Sequence, residues 1–297
     1  MSIHRTFITV AAILMATSSL AASNESISIP PGATHEGNLE TRNGAIRVGD
    51  EAVIEGSLDS RNGHITTGKS VTASDVYSRN GSIVLGENGQ YGRVESRNGQ
   101  IKLGDGTTAD ALETRNGSIV VGSRARTGKL LSRNGGINVA SEAVVEGTAE
   151  TRNGGISLEK GSRVTGRIAT RNGRVKLSGA TAEEGIQTLT GDILLEAGSR
   201  SGGDLVIEIK KNDAGSGGSF FGLGGSKTWP EAGDIRVLDG SEVDGDIVLV
   251  LDADYDEAMP TVEIGSDAVV TGNLRIDSRV ELIVAGTVNG EVERVTP

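Results

Sequence analysis

The chain of 297 residues carries 40 acidic and 29 basic side chains, a net charge of −11 near neutral pH, which opposes binding to nucleic acid and nonspecific adhesion to anionic lipid. It has no cysteine, which excludes a disulfide framework and a lipid-bearing cysteine behind a leader. Its 44 glycines and 2% aromatic content suit thin, turn-rich layers better than a walled ligand cavity.

Residues 1–22 read as a secretory signal peptide. Arg5 stands near the start, the apolar run Phe7–Met15 follows, and Ser19-Leu20-Ala21 precedes an expected cut. The run is too short for a stable membrane anchor, so no transmembrane segment is expected once the signal is removed. Loss of Arg5 would leave a charge of −12. The mature protein is expected in the periplasm, on the cell surface or in the medium.

After an opening half-coil at Ser26–Ile29, the tetrapeptide Ser/Thr-Arg-Asn-Gly recurs every 18 or 19 residues. Its asparagines are Asn43, Asn62, Asn80, Asn98, Asn116, Asn134, Asn153 and Asn172. A short fixed period means one supersecondary unit stacked on itself. Four residues before each Asn stands Leu39, Leu58, Val76, Val94, Leu112, Leu130, Ala149 or Ile168. Three residues after it stands Ile46, Ile65, Ile83, Ile101, Ile119, Ile137, Ile156 or Val175, and two further on comes Val48, Thr67, Leu85, Leu103, Val121, Val139, Leu158 or Leu177. Apolar residues at steps of two are strand parity with one buried face, and the Gly at each turn interrupts any helical stripe.

The fold class predicted is all-β, a single-stranded β-solenoid (β-helix) with 18–19-residue rungs of two short strands each. Successive rungs rise by about 4.8 Å. Eighteen residues also suit the left-handed hexapeptide helix, but strict six-residue periodicity fails at the 19-residue rungs, which favours the right-handed form. Burial of the isoleucine column contributes roughly 1.5–3 kcal/mol per residue.

Asn-Gly is expected at a turn, since both residues tolerate positive φ, with Asn amides bonded between rungs. The preceding Ser or Thr is small enough for a corner. Arg42, Arg61, Arg79, Arg97, Arg115, Arg133, Arg152 and Arg171 should form an outward column, in which unit charges about 5 Å apart repel by roughly 0.8 kcal/mol per pair in water. Glu40, Asp59, Glu95, Glu113 and Glu150 stand two residues earlier, so a Glu–Arg ladder is expected. Tyr77, Leu131 and Ala169 take the acidic place in three rungs. That leaves Arg79, Arg133 and Arg171 as candidate contacts for an anionic polymer.

Regular rungs occupy 23–200 and irregular ones 201–297, with strands expected at Leu205–Ile209, Asp234–Val237, Asp246–Leu251, Val262–Ile264 and Asn273–Ile276. Val280–Val295 reads as an end cap. An insertion at 211–232 holds Phe220, Phe221 and Trp229, either as a flap docked on the coil or as an exposed apolar tip that meets a partner.

Other motifs carry little chemistry. Gly63–Ser70 matches the phosphate-loop pattern, but the repeat supplies most of the match, and Ile65 and Thr67 fill inward strand positions where the motif needs a loop opening a helix. Asp252, Asp254, Asp256 and Glu263 have calcium-loop spacing, yet Glu257 replaces the glycine of the sharp turn. His35 and His64 are the only histidines after the signal and stand in no nucleophile–base pattern. No catalytic residue, metal site or cofactor is expected. A polysaccharide-acting β-helix enzyme, the remaining alternative, would use longer rungs with loops walling a groove.

The rungs at 48–58 and 262–274 resemble those of bactofilins, polymer-forming β-helix scaffolds, and the Asn-Gly-x-Ile and Gly-Asp-Ile turns resemble an exported adhesin-type domain family of bacteria. The resemblance implies a right-handed β-helix in a bacterial envelope with a structural or adhesive role. The export signal departs from bactofilins, which are mainly cytoplasmic or membrane-associated. The expected function is an exported, non-enzymatic structural or adhesin-like rod of the cell envelope that can self-associate, with binding of an anionic glycan or envelope polymer as the alternative.

Overall fold

A computed structural model describes residues 16–17, 20–22, 24–213, 215–216 and 227–296. The chain winds into a β-solenoid in which one wall is a sheet of 13 parallel strands, one per turn. The strands Ile46–Val48, Ile65–Thr67, Ile83–Leu85 and Ile101–Leu103 are successive members of this first wall. Their register is Ile on Ile: Ile46 pairs Ile65, Ile65 pairs Ile83, and Ile83 pairs Ile101. Strict stacking follows because a slip of one residue would turn the whole inward column to solvent.

Most turns have three strands, not two. Val53–Glu55 and Thr72–Ala73 belong to a second wall, and Leu58–Ser60 and Val76–Ser78 to a third. In three turns the second and third walls merge into single strands, Gln90–Ser96, Thr108–Thr114 and Arg126–Ser132. The second wall buries small or mixed side chains, among them Ala52, Ala73, Thr107 and Ala109, so it lacks the Ile/Leu signature that marks the other two.

The core is one continuous column. Ile46, Ile65, Ile83, Ile101, Ile119, Ile137, Ile156 and Val175 are fully buried, and so are Leu39, Leu58, Val94, Leu112 and Leu130. The column runs past the insertion without loss of register, since Ile193 pairs Ile235 and Leu195 pairs Val237. Rungs beyond residue 200 therefore stack as the earlier ones do. Ala16–Thr17 and Leu20–Ala22 run parallel to Thr34–Glu36 and Leu39–Thr41; the rest of the segment read as a signal lies outside the described residues.

A further expectation is overturned here. No Asn or Gly of the repeated tetrapeptide has positive φ. The left-handed residues other than glycine fall at the corner between the first and second walls, among them Glu51, Ser70, Asn88, Arg124 and Glu142. Glycine is needed in the tetrapeptide for close approach instead: a Cβ on Gly99 would overlap the carbonyl oxygen of Gly81, and one on Gly117 that of Gly99. The last segment, read as an end cap, stacks as a rung of the same three strands. Glu281–Val284, Thr287–Val288 and Val292–Val295 pair with the preceding turn, and leave Ile283, Val284 and Val292 among the exposed large apolar side chains.

Candidate functional site

The corner between the third and first walls carries the tetrapeptide, and its geometry is set by small polar groups. The Ser96 hydroxyl donates to the carbonyl of Gly81 one rung away at 3.2 Å and accepts the N–H of Gly99 at 2.9 Å. Ser60 and Ser78 make the same pair of bonds. A buried hydroxyl thus satisfies one donor and one acceptor where the chain turns out of the sheet ladder. The sequence marked these residues as corner fillers; the reciprocal bonding comes from the stacking.

On the outside of this corner the asparagine amides form a ladder. Each Nδ2 donates to the Oδ1 of the preceding rung, from Asn43 on Asn24 to Asn172 on Asn153, in eight bonds of 2.6–2.8 Å. Inter-rung amide bonding was expected, but Asn24 escaped notice because no Arg or Gly flanks it. Thr190 continues the column at the other end, its hydroxyl donating to Asn172 Oδ1 at 3.0 Å.

The Glu–Arg ladder does not form. Among the described residues, Arg42, Arg61, Arg79, Arg97, Arg115, Arg133 and Arg152 have no carboxylate oxygen within 4.0 Å. Arg171, expected to be one of the freer arginines, is the one with an acidic neighbour, Asp213 at 3.9 Å. Two acids of the third wall pair elsewhere. Arg93 lies 3.4 Å from Glu95 and 2.7 Å from Glu113, and Lys129 lies 3.2 Å from Glu113. The cause is position: Arg42, Arg61, Arg79, Arg97, Arg115 and Arg133 stand in the bend just after a strand ends, whereas Glu95 and Glu113 project from the strand beside Arg93 and Lys129. Six of the seven unpaired guanidinium side chains are exposed and Arg79 is half-buried.

Two grooves flank this column. One, of about 710 Å³, lies between Arg97, Arg115, Arg133 and Arg152 and the outward residues Tyr77, Glu95, Glu113, Leu131 and Glu150. The other, of about 460 Å³, runs between Arg61, Arg79, Arg97, Arg115 and the asparagines that follow them. The acidic column begins earlier, where burial and then the charge of Glu40 push the Asp59 carboxyl above its ordinary range.

The insertion leaves the coil at this same corner. It follows the third-wall strand Leu205–Glu208 and precedes the first-wall strand Ile235–Val237, two rungs beyond Arg171. The insertion therefore begins and ends at the edge of the rod that carries the arginines. Trp229 is no exposed tip: it is 4% exposed and its ring lies 6.1 Å from that of Tyr255. The Tyr255 hydroxyl accepts the Ala232 N–H at 3.0 Å and donates to the Ala258 carbonyl at 3.1 Å. Phe220 and Phe221 lie outside the described residues.

Among the described residues no three His, Asp or Glu side chains converge as metal ligands, and no helix is long and apolar enough to cross a membrane. His64 Nδ1 accepts the Ser82 N–H at 3.0 Å, a structural bond between rungs. His35 is buried in the second wall. No protein-family profile matches the chain, and no characterised protein or solved structure is significantly similar to it.

Proposed function

We propose that this is an exported, non-enzymatic rod of the bacterial cell envelope whose arginine corner holds an extended anionic polymer. One observation carries the reading: seven arginines stand in successive rungs without a carboxylate partner among the described residues, in a chain whose net charge is −11. Like charges about 4.8 Å apart weaken the stack they stand on. Any rung could relieve this with a neutral residue at no cost to the corner, because the corner's bonds are made by Ser, Asn and Gly. A polyanion laid along the column would neutralise several guanidinium groups at once, each as a planar donor fork. The leader-like first 22 residues and the resemblance to bactofilins and to the adhesin-type family support placing the rod in the envelope.

The test is retention of the protein on immobilised polygalacturonate against a neutral glucan, at low and high salt. Retention should be lost in an Arg97→Gln/Arg115→Gln/Arg133→Gln variant and should fall with salt. Equal retention of the variant would sink the reading. Self-association is a second reading, favoured by Ile283, Val284 and Val292, large apolar side chains exposed on neighbouring strands of one rung. Sedimentation across a range of concentrations tests it; a monomer throughout would remove it.

A further inference from the structure

The larger groove has two unlike sides, and this restricts which polyanion fits. Arg97, Arg115, Arg133 and Arg152 form one side. On the other, Glu95, Glu113 and Glu150 present carboxylates in the same rungs as three of those arginines, with Tyr77 and Leu131 taking the equivalent outward place in their own rungs. Resting on the function proposed above, we infer that the polymer is an acidic glycan, with its anionic groups on one edge and free hydroxyls on the other. A chain charged all round, such as polyphosphate, is disfavoured.

The carboxylate row carries the distinction. Glu113 is held from the far side by Arg93 at 2.7 Å and Lys129 at 3.2 Å, so its position is set before any ligand arrives. Glu150 has no cation within 4.0 Å among the described residues. A carboxylate has about four acceptor sites, enough to take sugar hydroxyls while still bonded to its cations. Toward a chain with charge on every side the same row is repulsive, and discrimination of this kind depends on the repulsive element as much as on the attractive one.

The half-buried outward residues point the same way. Tyr77 offers a ring, and Leu131, three rungs on, an apolar surface. Such apolar faces suit the C–H faces of pyranose rings better than they suit a phosphate chain. Pitch disfavours duplex DNA: arginines about 4.8 Å apart are out of step with each of its strands, which carries a charge about every 3.4 Å of helix axis. From the Tyr77 rung to the Glu150 rung the groove spans about 19 Å, four rung steps, so a short oligosaccharide would fill it.

Binding of polygalacturonate, linear polyphosphate, single-stranded DNA and a neutral glucan would be measured for four proteins with unchanged far-UV circular dichroism. These are the wild type, the triple arginine variant, Glu95→Gln/Glu113→Gln/Glu150→Gln, and Tyr77→Ala/Leu131→Ser. The expected wild-type preference for polygalacturonate over polyphosphate is tenfold or more, at equal charge concentration. That preference should fall about tenfold in the glutamine variant and also in the Tyr77/Leu131 variant, while the arginine variant binds neither polyanion. If the wild type binds polyphosphate or DNA as tightly as polygalacturonate, and the arginine variant loses all of them, the glycan assignment is overturned while the arginine corner stands. Binding of no polyanion at all overturns the proposed function itself.

Discussion

The hydroxyls of Thr67 and Tyr91 lie 2.6 Å apart inside the core, joining the first wall of one rung to the second wall of the next. Thr67 stands where neighbouring rungs place Val48 and Leu85, and the Tyr91 ring enters the space beside it. The Thr67 hydroxyl also accepts the Gly86 N–H at 3.1 Å. Thr67→Val therefore strips a partner from two groups and should cost about 1–3 kcal/mol, whereas Tyr91→Phe should cost about 0.5–1.5 kcal/mol. The double variant should cost less than the sum. Urea unfolding of all four proteins measures the coupling; additive losses would mean the two hydroxyls do not interact.

Burial, partly offset by the Thr67 bond, pushes the Tyr91 hydroxyl up from 10.0 to about 12. Below pH 10 the group is protonated in both folded and unfolded chains and favours neither. Between about 10 and 12 the unfolded chain gives up the proton while the folded one keeps it, so stability falls with rising pH by about 2–3 kcal/mol in total. In Tyr91→Phe that fraction of the alkaline loss should vanish; an unchanged alkaline profile would contradict it.

Asp277 is fully buried and bonded to Arg279, whose guanidinium also reaches the carbonyls of Tyr255 at 3.2 Å and Asp252 at 2.9 Å. Burial alone would raise the Asp277 carboxyl, but the bonds from Arg279 win and hold it below the ordinary range. Its contribution is present above the unfolded carboxyl value of 3.8 and is lost as pH falls through the lower folded value. Arg279→Met leaves that carboxylate unpaired and should cost about 3–5 kcal/mol. Thermal melts at neutral pH would show it, and a change under 1 kcal/mol would remove the ion pair from any account of the last rungs.

Gly99→Ala should be far worse than an ordinary glycine replacement. The new Cβ meets backbone of the previous rung, which cannot yield without opening the stack, so the loss should exceed the about 1–3 kcal/mol typical of overpacking. Asn98→Ala removes two ladder bonds, to Asn80 and from Asn116, each 2.7 Å. Both are exposed, and a loss of about 1 kcal/mol is expected. If the order of the two variants were reversed in chemical denaturation, the corner would be held by its amides and not by backbone approach.

Replacing one arginine tests whether the column contributes to folding. Arg115→Gln should leave stability unchanged or raise it by a few tenths of a kcal/mol, with the gain shrinking in salt. A loss above 1 kcal/mol would mean that the guanidinium makes a bond that holds the rung.

The column at Ile46, Ile65 and Ile83 was legible because the strand period of two survives in every repeat, and the rung length followed from the spacing of the asparagines. The second wall was not, because Ala52, Ala73 and Thr107 are too small and mixed to announce a buried strand. Arg97 was given to Glu95 from their separation of two residues, but a bend lies between them and Arg93 competes for the same carboxylate. No local pattern could join Thr67 to Tyr91, since their contact crosses both a rung and a wall. Trp229 drew attention through its rarity, and its burial against Tyr255 depends on a loop some 25 residues downstream.

Because Asn98 and Asn116 occupy the same place in adjacent rungs, joining Asn98 directly to Gly117 would excise one rung and leave every other pairing in phase. The rod is in this sense a gauge. Its length, and the number of cations it offers along one edge, can be shortened in single steps without redesigning anything that remains.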